Sequence, residues 1–542
     1  MTPQFRRLLE KRGIEDIANF LNPSIKNLEP PSSLSGVDKA AEEIFPFIYD
    51  ARKIVVFGDY DCDGICATAV MVRVLRKLGA DCEAFLPERM GEGYGMTSAS
   101  LDRMLREHPD VALVITVDNG INSIDEVERL KKMGVSVVVT DHHLPGEKLP
   151  NCTIVNPSVA STEALTAICG AAVAFMLANR IVDISKSKGK YTGGKFGGEA
   201  LVLAGLATVT DVMPLKGNNR ILVYEALRRF NQFATEGLRQ LVRLARGDFN
   251  APEKEEKNPT VKDFGFLIGP RINAPGRMAT GDVALKLVLC DDNKLASSVA
   301  LEVDAHNSER KKIELEMMNE AMEKVVPNAP AQVIDLPNGK PGVAGIVASR
   351  ILENLGSAAP VCVIAGTHGS ARSPEGFNIR DAFEACSEYL ERFGGHAAAA
   401  GFSVKDGKVD AFRQALCEYT QNNFIREENK ELSYDIVLSP NEITKEFYNE
   451  ILSMEPFGEG NAEPLFKLEN VKINEAKVFG ANEKHLSFYV CDYRAVWWNH
   501  GEIAGKLSNS QLIDIYFSIK SSDYSRKGVE LVVKSIPKVM VI

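Results

Sequence analysis

Three nearly continuous β-branched runs, IVVFGD from Ile54, ALVITVD from Ala112 and SVVVTD from Ser136, each end on an aspartate and are separated by segments of mixed polarity. A strand that is apolar at every position, rather than at every second one, is buried on both faces, as in a parallel sheet covered by helices. Between the second and third runs, Ser123 and Glu126 stand at capping-box spacing, and Gly134 closes the predicted helix. The pattern is a βαβ series. Open sheets of this kind take their ligands at the carboxyl ends of the strands, so Asp59, Asp118 and Asp141 are expected to converge.

With 542 residues the chain has room for about three or four domains. From Asp282 to about Val326 it holds neither Pro nor Gly and is rich in Leu, Met, Glu and Lys, which predicts one or two long helices joining two lobes. Past Pro327 a second α/β pattern begins, with strands near QVIDL and VCVIAG and a Gly-rich stretch FGGHAAAAGF, ending near Glu428. From about Leu432 the helical signals fade, and VKINEAKVF, HLSFYV, IDIYFSIK and VELVVKSI predict a small β-barrel or sandwich. The expected fold class is α/β with an added β domain. Its expected division is an N-terminal segment (1–49), a first lobe (50–282), a connecting helix (283–327), a second lobe (328–428) and a C-terminal β domain (429–542).

A net charge of −10 argues against a protein that coats nucleic acid indiscriminately, because that mode needs broad neutralisation of phosphates. Any phosphate site must be local, and carboxylates that hold divalent cations would reconcile an acidic chain with an anionic substrate. No apolar run reaches the roughly 18 residues needed to cross a bilayer, and the opening MTPQFRRLLEKRG lacks a signal-peptide stretch, so the cytoplasm is the expected location. The ten cysteines show no paired short spacing apart from Cys62 and Cys66, and are expected to be reduced and mostly buried.

The sharpest local motif is GDYDCDG, Gly58 to Gly64, with three carboxylates at alternate positions after a strand. An EF-hand loop opens similarly, but it needs a preceding helix and a Glu at its twelfth position, where this chain has Val70. A solvated acidic turn is the bland alternative, yet three charges packed before an apolar helix repel unless a cation binds. TDHH, Thr140 to His143, sets two of eight histidines side by side at a strand end. Imidazole with carboxylate suits Mn²⁺ better than Ca²⁺, which prefers oxygen ligands. VDNGI at Asp118 and ATVTDVMPL at Asp211 add further acids to the same lobe. Two other motifs fail: GKYTGGK, Gly189 to Lys195, puts Phe196 where a phosphate-binding loop needs Ser or Thr, and Cys62 with Cys66 lacks a second pair for zinc.

GDYDCDG, VDNG, TDHH and TDVMPL occur in the order and approximate spacing of the four motifs of the DHH phosphoesterases, which the chain resembles. EGYGM, FLIGPRINAPGRM, GVAGIVASRI, GSARS, FGGHAAAAGF and MEPFGEGNAEPLF, with the opening KRGIEDIANFLNPS, extend the likeness over nearly the whole chain to the branch that degrades single-stranded DNA. The resemblance implies a parallel-sheet DHH lobe, a long connecting helix, a second α/β lobe that is the DHH-associated C-terminal domain, and a C-terminal OB-like barrel. It implies that Asp59, Asp61, Asp118, His142 and Asp211 ligate one or two Mn²⁺ or Mg²⁺ ions, with Asp118 bridging, and that His143 faces the scissile phosphate. Many relatives carry His where this chain has Phe57, so one ion is expected to be held more weakly or with an extra water. Asp63 and Asp141 are expected to support or cap the ligands.

By the same resemblance Arg277, Ser370 and Arg372 bind a 5′ phosphate, and Arg89 and Tyr94 line the path of the strand. Arg350 and the Gly394-Gly395-His396 turn hold the nucleic acid opposite the metals. Of Phe488, Tyr489, Trp497 and Trp498, one or two are expected to stack on bases. The implied activity is metal-dependent hydrolysis of single-stranded DNA, 5′ to 3′, to nucleoside 5′-monophosphates in repair and recombination. The implied partners are the DNA strand, a single-stranded-DNA-binding protein and a helicase, with no membrane and a monomeric state. The rival readings are a DHH phosphodiesterase for short oligonucleotides or cyclic dinucleotides, which would lack the β domain, and a non-catalytic replication scaffold, which would lack the ligands.

Overall fold

The computed structural model describes the chain apart from residues 90, 161, 163–164, 194–196, 249–256, 425–431, 508–511, 524, 526 and 538–542. Part of the GKYTGGKF stretch therefore lies outside the described residues. The three β-branched runs form strands β1 (Ile54–Phe57), β3 (Leu113–Val117) and β4 (Ser136–Thr140), joined by β2 (Cys82–Phe85) and β5 (Thr153–Val155). All pairings are parallel and the order is β2-β1-β3-β4-β5. β1 and β3 are buried at every position, as a sheet covered on both faces requires. The edge strands β2 and β5 escaped the sequence reading because one is half-exposed and the other spans only three residues.

The helix Cys62–Lys77 follows β1 directly and packs against the helices Gly170–Ser187 and Gly198–Thr210. The helix Ile124–Lys132 is where the spacing predicted it, but the capping box is not made. Ser123 Oγ instead donates to the Met96 carbonyl, at 2.7 Å. The Pro-free stretch folds as two helices, Asp282–Leu289 and Asn293–Glu323. Beyond it a mixed sheet forms from β6 (Gln332–Leu336), β7 (Val361–Ala365), β8 (His368–Arg372), β9 (Leu390–Gly395) and β10 (Ala399–Val404), in the order β6-β7-β8-β10-β9.

A separate compact unit gathers Met1–Glu29, Val212–Arg228 and Asn429–Ile542. Its strands are β11 (Ile436–Val437), β12 (Phe466–Phe479), β13 (His485–Val490), β14 (Tyr493–Trp497), β15 (Leu512–Ser521) and β16 (Val529–Ser535). The β12–β15 pairing closes the sheet into a barrel, and the helix Lys445–Leu452 interrupts the β pattern of the C-terminal segment. Phe5, Leu8 and Leu9 of the N-terminal segment are buried in the barrel's core, and polar clamps add to this. Arg12 donates to both oxygens of Asp435, and the buried Arg220 donates to the carbonyls of Phe20, Glu455 and Pro456. All ten cysteines are free, and seven of them are buried.

Candidate metal centre

The ends of β1, β3 and β4 bring the aspartates together. Asp61 is the N-cap of the helix Cys62–Lys77, accepting from Gly64 N at 3.0 Å, and the Cys62 amide donates to Asn273 Oδ1 at 2.6 Å. Asp118 sits in the left-handed region, φ 62°, a conformation Asp tolerates better than most residues. Asp211 ends the helix Gly198–Thr210. Three groups of ligand atoms each lie within 4.8 Å of one another: Asp59, Asp61 and Asp118; Asp118, His142 and His143; and Asp63, His142 and Asp211. His142 Nε2 is 3.1 Å from Asp118 Oδ1 and 3.7 Å from Asp211 Oδ2 and from Asp63 Oδ2.

Both oxygens of Asp59, Oδ1 of Asp118 and Oδ2 of Asp211 are buried and accept no hydrogen bond among the described residues. Asp118 Oδ1 is within reach of the His142 ring, but the direction does not suit a bond. Burial, then mutual repulsion, pushes Asp59, Asp61 and Asp118 above the usual carboxylate range, and Asp211 up to about 8. Isolated charges are costly in such a setting unless paired or bound to metal. The donor set of carboxylates with one half-buried imidazole fits Mn²⁺ or Mg²⁺ ions, most closely the former. Phe57 is fully buried against Phe85 and adds no donor.

The supporting acids differ. Asp63 accepts from the amides of Gly170 and Ala171, each at 2.7 Å, at the start of the helix Gly170–Ser187. Asp141 accepts from the amides of Ile121, His142 and His143 and pairs with His143 Nδ1 at 2.7 Å. Burial pushes Asp141 up, but the His143 ring and these amides outweigh it and leave it below its ordinary value. Burial likewise pulls His143 down, and Asp141 more than offsets this, raising it to about 9. Asp141 thus favours the imidazolium form of His143, whereas burial lowers His142. Tyr94 Oη donates to the Asp118 carbonyl at 3.0 Å and lies 3.1 Å from His143 Nε2.

Sequence reasoning missed three contributors. Asn273 fastens the acidic loop. Gly276 packs on that loop, where a Cβ would come 2.5 Å from the Tyr60 carbonyl, and Gly170 lies under Asp118, where a Cβ would come 2.5 Å from Oδ1. Contacts of this kind leave no periodic trace in a sequence.

Arg89 stands close enough to Arg277 and Arg372 for its charge to weaken the hold of each on its proton. Burial first, then Arg89, lowers Arg277 to about 10, and burial with Arg89 lowers Arg372. Arg277 Nη1 donates to the Gly342 carbonyl and Arg372 Nη1 to the Ala371 carbonyl. Ser370 precedes Arg372 by two residues on β8 and shares its face. Arg350 pairs with the buried Glu314, at 2.6 Å, and its side chain is otherwise exposed. Gly394 and Gly395 end β9, and the exposed His396 donates its amide to the Ala399 carbonyl. In the barrel, Phe488 and Trp497 are core, whereas Tyr489 and Trp498 are 40% and 47% exposed.

Profiles of the DHH family N-terminal domain, the DHHA1 domain and the RecJ OB domain match residues 53–197, 328–422 and 434–535. The chain is 32% identical to the single-stranded-DNA-specific exonuclease RecJ of Bacillus subtilis, covering 98% of this chain and 68% of the relative. It is 34% identical to the Escherichia coli protein of the same name, over 90% of this chain and 87% of the relative. The structure of RecJ in complex with Mn²⁺ from Thermus thermophilus superposes with a TM-score of 0.85 at 30% identity, covering 98% of this chain and 76% of that one.

Proposed function

The chain belongs to the RecJ family, and we propose that it is a metal-dependent exonuclease that hydrolyses single-stranded DNA from the 5′ end to nucleoside 5′-monophosphates. The observation that carries this reading is the group of buried carboxylates without hydrogen-bond partners at the strand ends. Asp59, Asp61, Asp118, His142 and Asp211 are the proposed ligands of one or two Mn²⁺ or Mg²⁺ ions. Asp118 and His142 each belong to two of the three donor groups, and Asp118, whose carboxylate has two oxygens to offer, is the one proposed to be shared. When bound, such ions supply Lewis acidity toward phosphoryl oxygens and acidify water.

The chain's own groups do the rest. His143, protonated and held by Asp141, faces the same space as His142 and is placed to hydrogen-bond a phosphate oxygen and to give its proton to the departing 3′ oxygen. Tyr94 Oη also touches that ring, 3.1 Å from Nε2 and 3.2 Å from Nδ1. Arg277, Ser370 and Arg372 bind the terminal phosphate, with Arg89 beside them, because guanidinium forks engage two phosphate oxygens at once. Arg350 and the Gly394-Gly395-His396 turn extend that surface, and the barrel offers Tyr489 and Trp498 for stacking.

The proposed division is a catalytic lobe (50–282), connecting helix (283–327), nucleic-acid lobe (328–428) and OB domain (429–542), after a segment at 1–49. The proposed setting is repair and recombination in the cytoplasm, as a monomer, with a single-stranded-DNA-binding protein and a helicase as partners. Among the described residues no helix is long and apolar enough to cross a membrane. The test is metal-stripped protein on single strands, blunt duplex and a cyclic dinucleotide. Activity should return with Mn²⁺ or Mg²⁺ on the single strand alone. Activity in chelator, or faster cleavage of the cyclic dinucleotide, would overturn the reading.

A further inference from the structure

One face of the second lobe's sheet is covered in part. Val361, Val363 and Ala365 of β7 are buried with Val343, Ala344 and Val347 of the helix Pro341–Asn354. The register carries the same face outward: Ser370 pairs with Val363, Gly401 with Ser370, and Gly394 with Gly401. Alternation along the strands puts Arg372 and His368 on this face to either side of Ser370, with Arg392 two residues before Gly394. His368, Arg392, Gly394 and Gly401 are exposed. A Cβ on Gly394 would meet nothing within 4 Å, so the middle of the face is open backbone.

Arg392 is held in place. Its Nε donates to Ser403 Oγ at 3.3 Å and its Nη2 to His368 Nε2 at 2.6 Å. A guanidinium only donates, so Nε2 accepts and the imidazole proton sits on Nδ1, 2.9 Å from Thr367 Oγ1. Burial and the neighbouring cation both favour this neutral ring. Among the described residues neither Arg392 nor Arg372 pairs with a carboxylate, although the chain carries a net charge of −10. Four residue steps along β8 lead from the row of Arg372 to that of His368, which is about 13 Å at the usual rise.

We infer that this face carries the phosphodiester backbone of the substrate beyond its 5′ end, with Arg392 binding a later phosphate and His368 positioning Arg392. The inference deepens the reading of Arg372 as a contact for the terminal phosphate and rests on it. Charge complementarity and continuity with Arg372 select the occupant, and the bare glycine backbone lets sugars lie against the sheet.

The test is equilibrium binding of a 5′-phosphorylated strand of about a dozen nucleotides in chelator over a range of salt, with rates on that strand and on a dinucleotide. Arg392→Ala should weaken binding of the long strand roughly fivefold and reduce the salt slope by about 0.7, one phosphate contact on a single strand. It should lower kcat/KM more on the long strand than on the dinucleotide, and keep the preference for a 5′ phosphate over a 5′ hydroxyl. Arg392→Lys should restore the slope and part of the affinity, and Gly401→Val should weaken long-strand binding by obstruction. Wild-type affinity and slope in Arg392→Ala, or equal losses on both substrates, would overturn the inference. Arg372→Ala in the same series tests the underlying reading separately, because it alone should change the 5′-phosphate preference.

Discussion

His142 Nε2 stands 3.1 Å from Asp118 Oδ1 in a direction that makes no hydrogen bond. A half-buried imidazole and a buried carboxylate that approach without bonding are aimed at a common point, and a cation there satisfies both. This has a thermodynamic consequence. Burial and neighbouring acids raise Asp211 to about 8, so the folded metal-free protein holds that proton more tightly than the unfolded chain does. Its stability should fall as pH rises from the ordinary carboxylate range to about 8. His143, raised to about 9, acts in the same direction, its contribution being lost as pH climbs past its unfolded value. The melting temperature in chelator should be lower at pH 8 than at pH 5.5, and Mn²⁺ should raise it more at pH 8. Asp211→Asn should flatten the pH dependence. A metal-free protein that gains stability over this range would contradict the assignment.

Gly170 lies beneath Asp118, so Gly170→Ala should displace that carboxylate. Misplaced catalytic groups commonly cost on the order of a hundredfold in rate. The expected result is such a loss in kcat with strand binding retained, read by single-turnover rates beside anisotropy. Wild-type turnover would show that the helix start gives way without moving Asp118.

The neighbouring tryptophans of the barrel should behave oppositely. Trp497 is 1% exposed and Trp498 is 47% exposed. Trp497→Ala should cost about 3–5 kcal/mol of stability, measured by denaturant unfolding. Trp498→Ala should leave stability nearly unchanged and weaken long-strand binding by about 1–3 kcal/mol. Unchanged binding in Trp498→Ala would remove it from the strand's path.

Arg372→Ala should lose the preference for 5′-phosphorylated over 5′-hydroxyl strands while Mn²⁺ affinity is kept, and Arg372→Lys should recover part of it. Initial rates at one fixed salt concentration measure this. An unaltered ratio would move the terminal-phosphate pocket elsewhere.

How much was legible depended on whether the physics leaves a local pattern. β1, β3 and β4 declared themselves through β-branched burial, and their terminal aspartates through position. β5 is too short to show a period, and Ser123 had a tertiary acceptor in Met96 that its spacing could not reveal. Asp59, Asp61 and Asp63 read alike in the motif, yet two amides tie Asp63 while Asp59 keeps two unpartnered oxygens. Phe488 and Tyr489 alternate along one strand, and alternation alone does not say which face is inside. The first 29 residues join the barrel through Phe5, Leu8 and Leu9, which are buried in its core, and through clamps such as Arg12 to Asp435, and neither names its distant partner in the sequence.

The most direct test of the central claim is hydrolysis of one single strand labelled at its 5′ end or at its 3′ end, in Mn²⁺, by the wild-type protein and by Asp118→Ala. The account predicts that the 5′ label appears at once as a mononucleotide while the 3′-labelled strand shortens progressively. It also predicts that Asp118→Ala binds the strand and releases neither label. Release of the 3′ label first, or near wild-type turnover by Asp118→Ala, would contradict it.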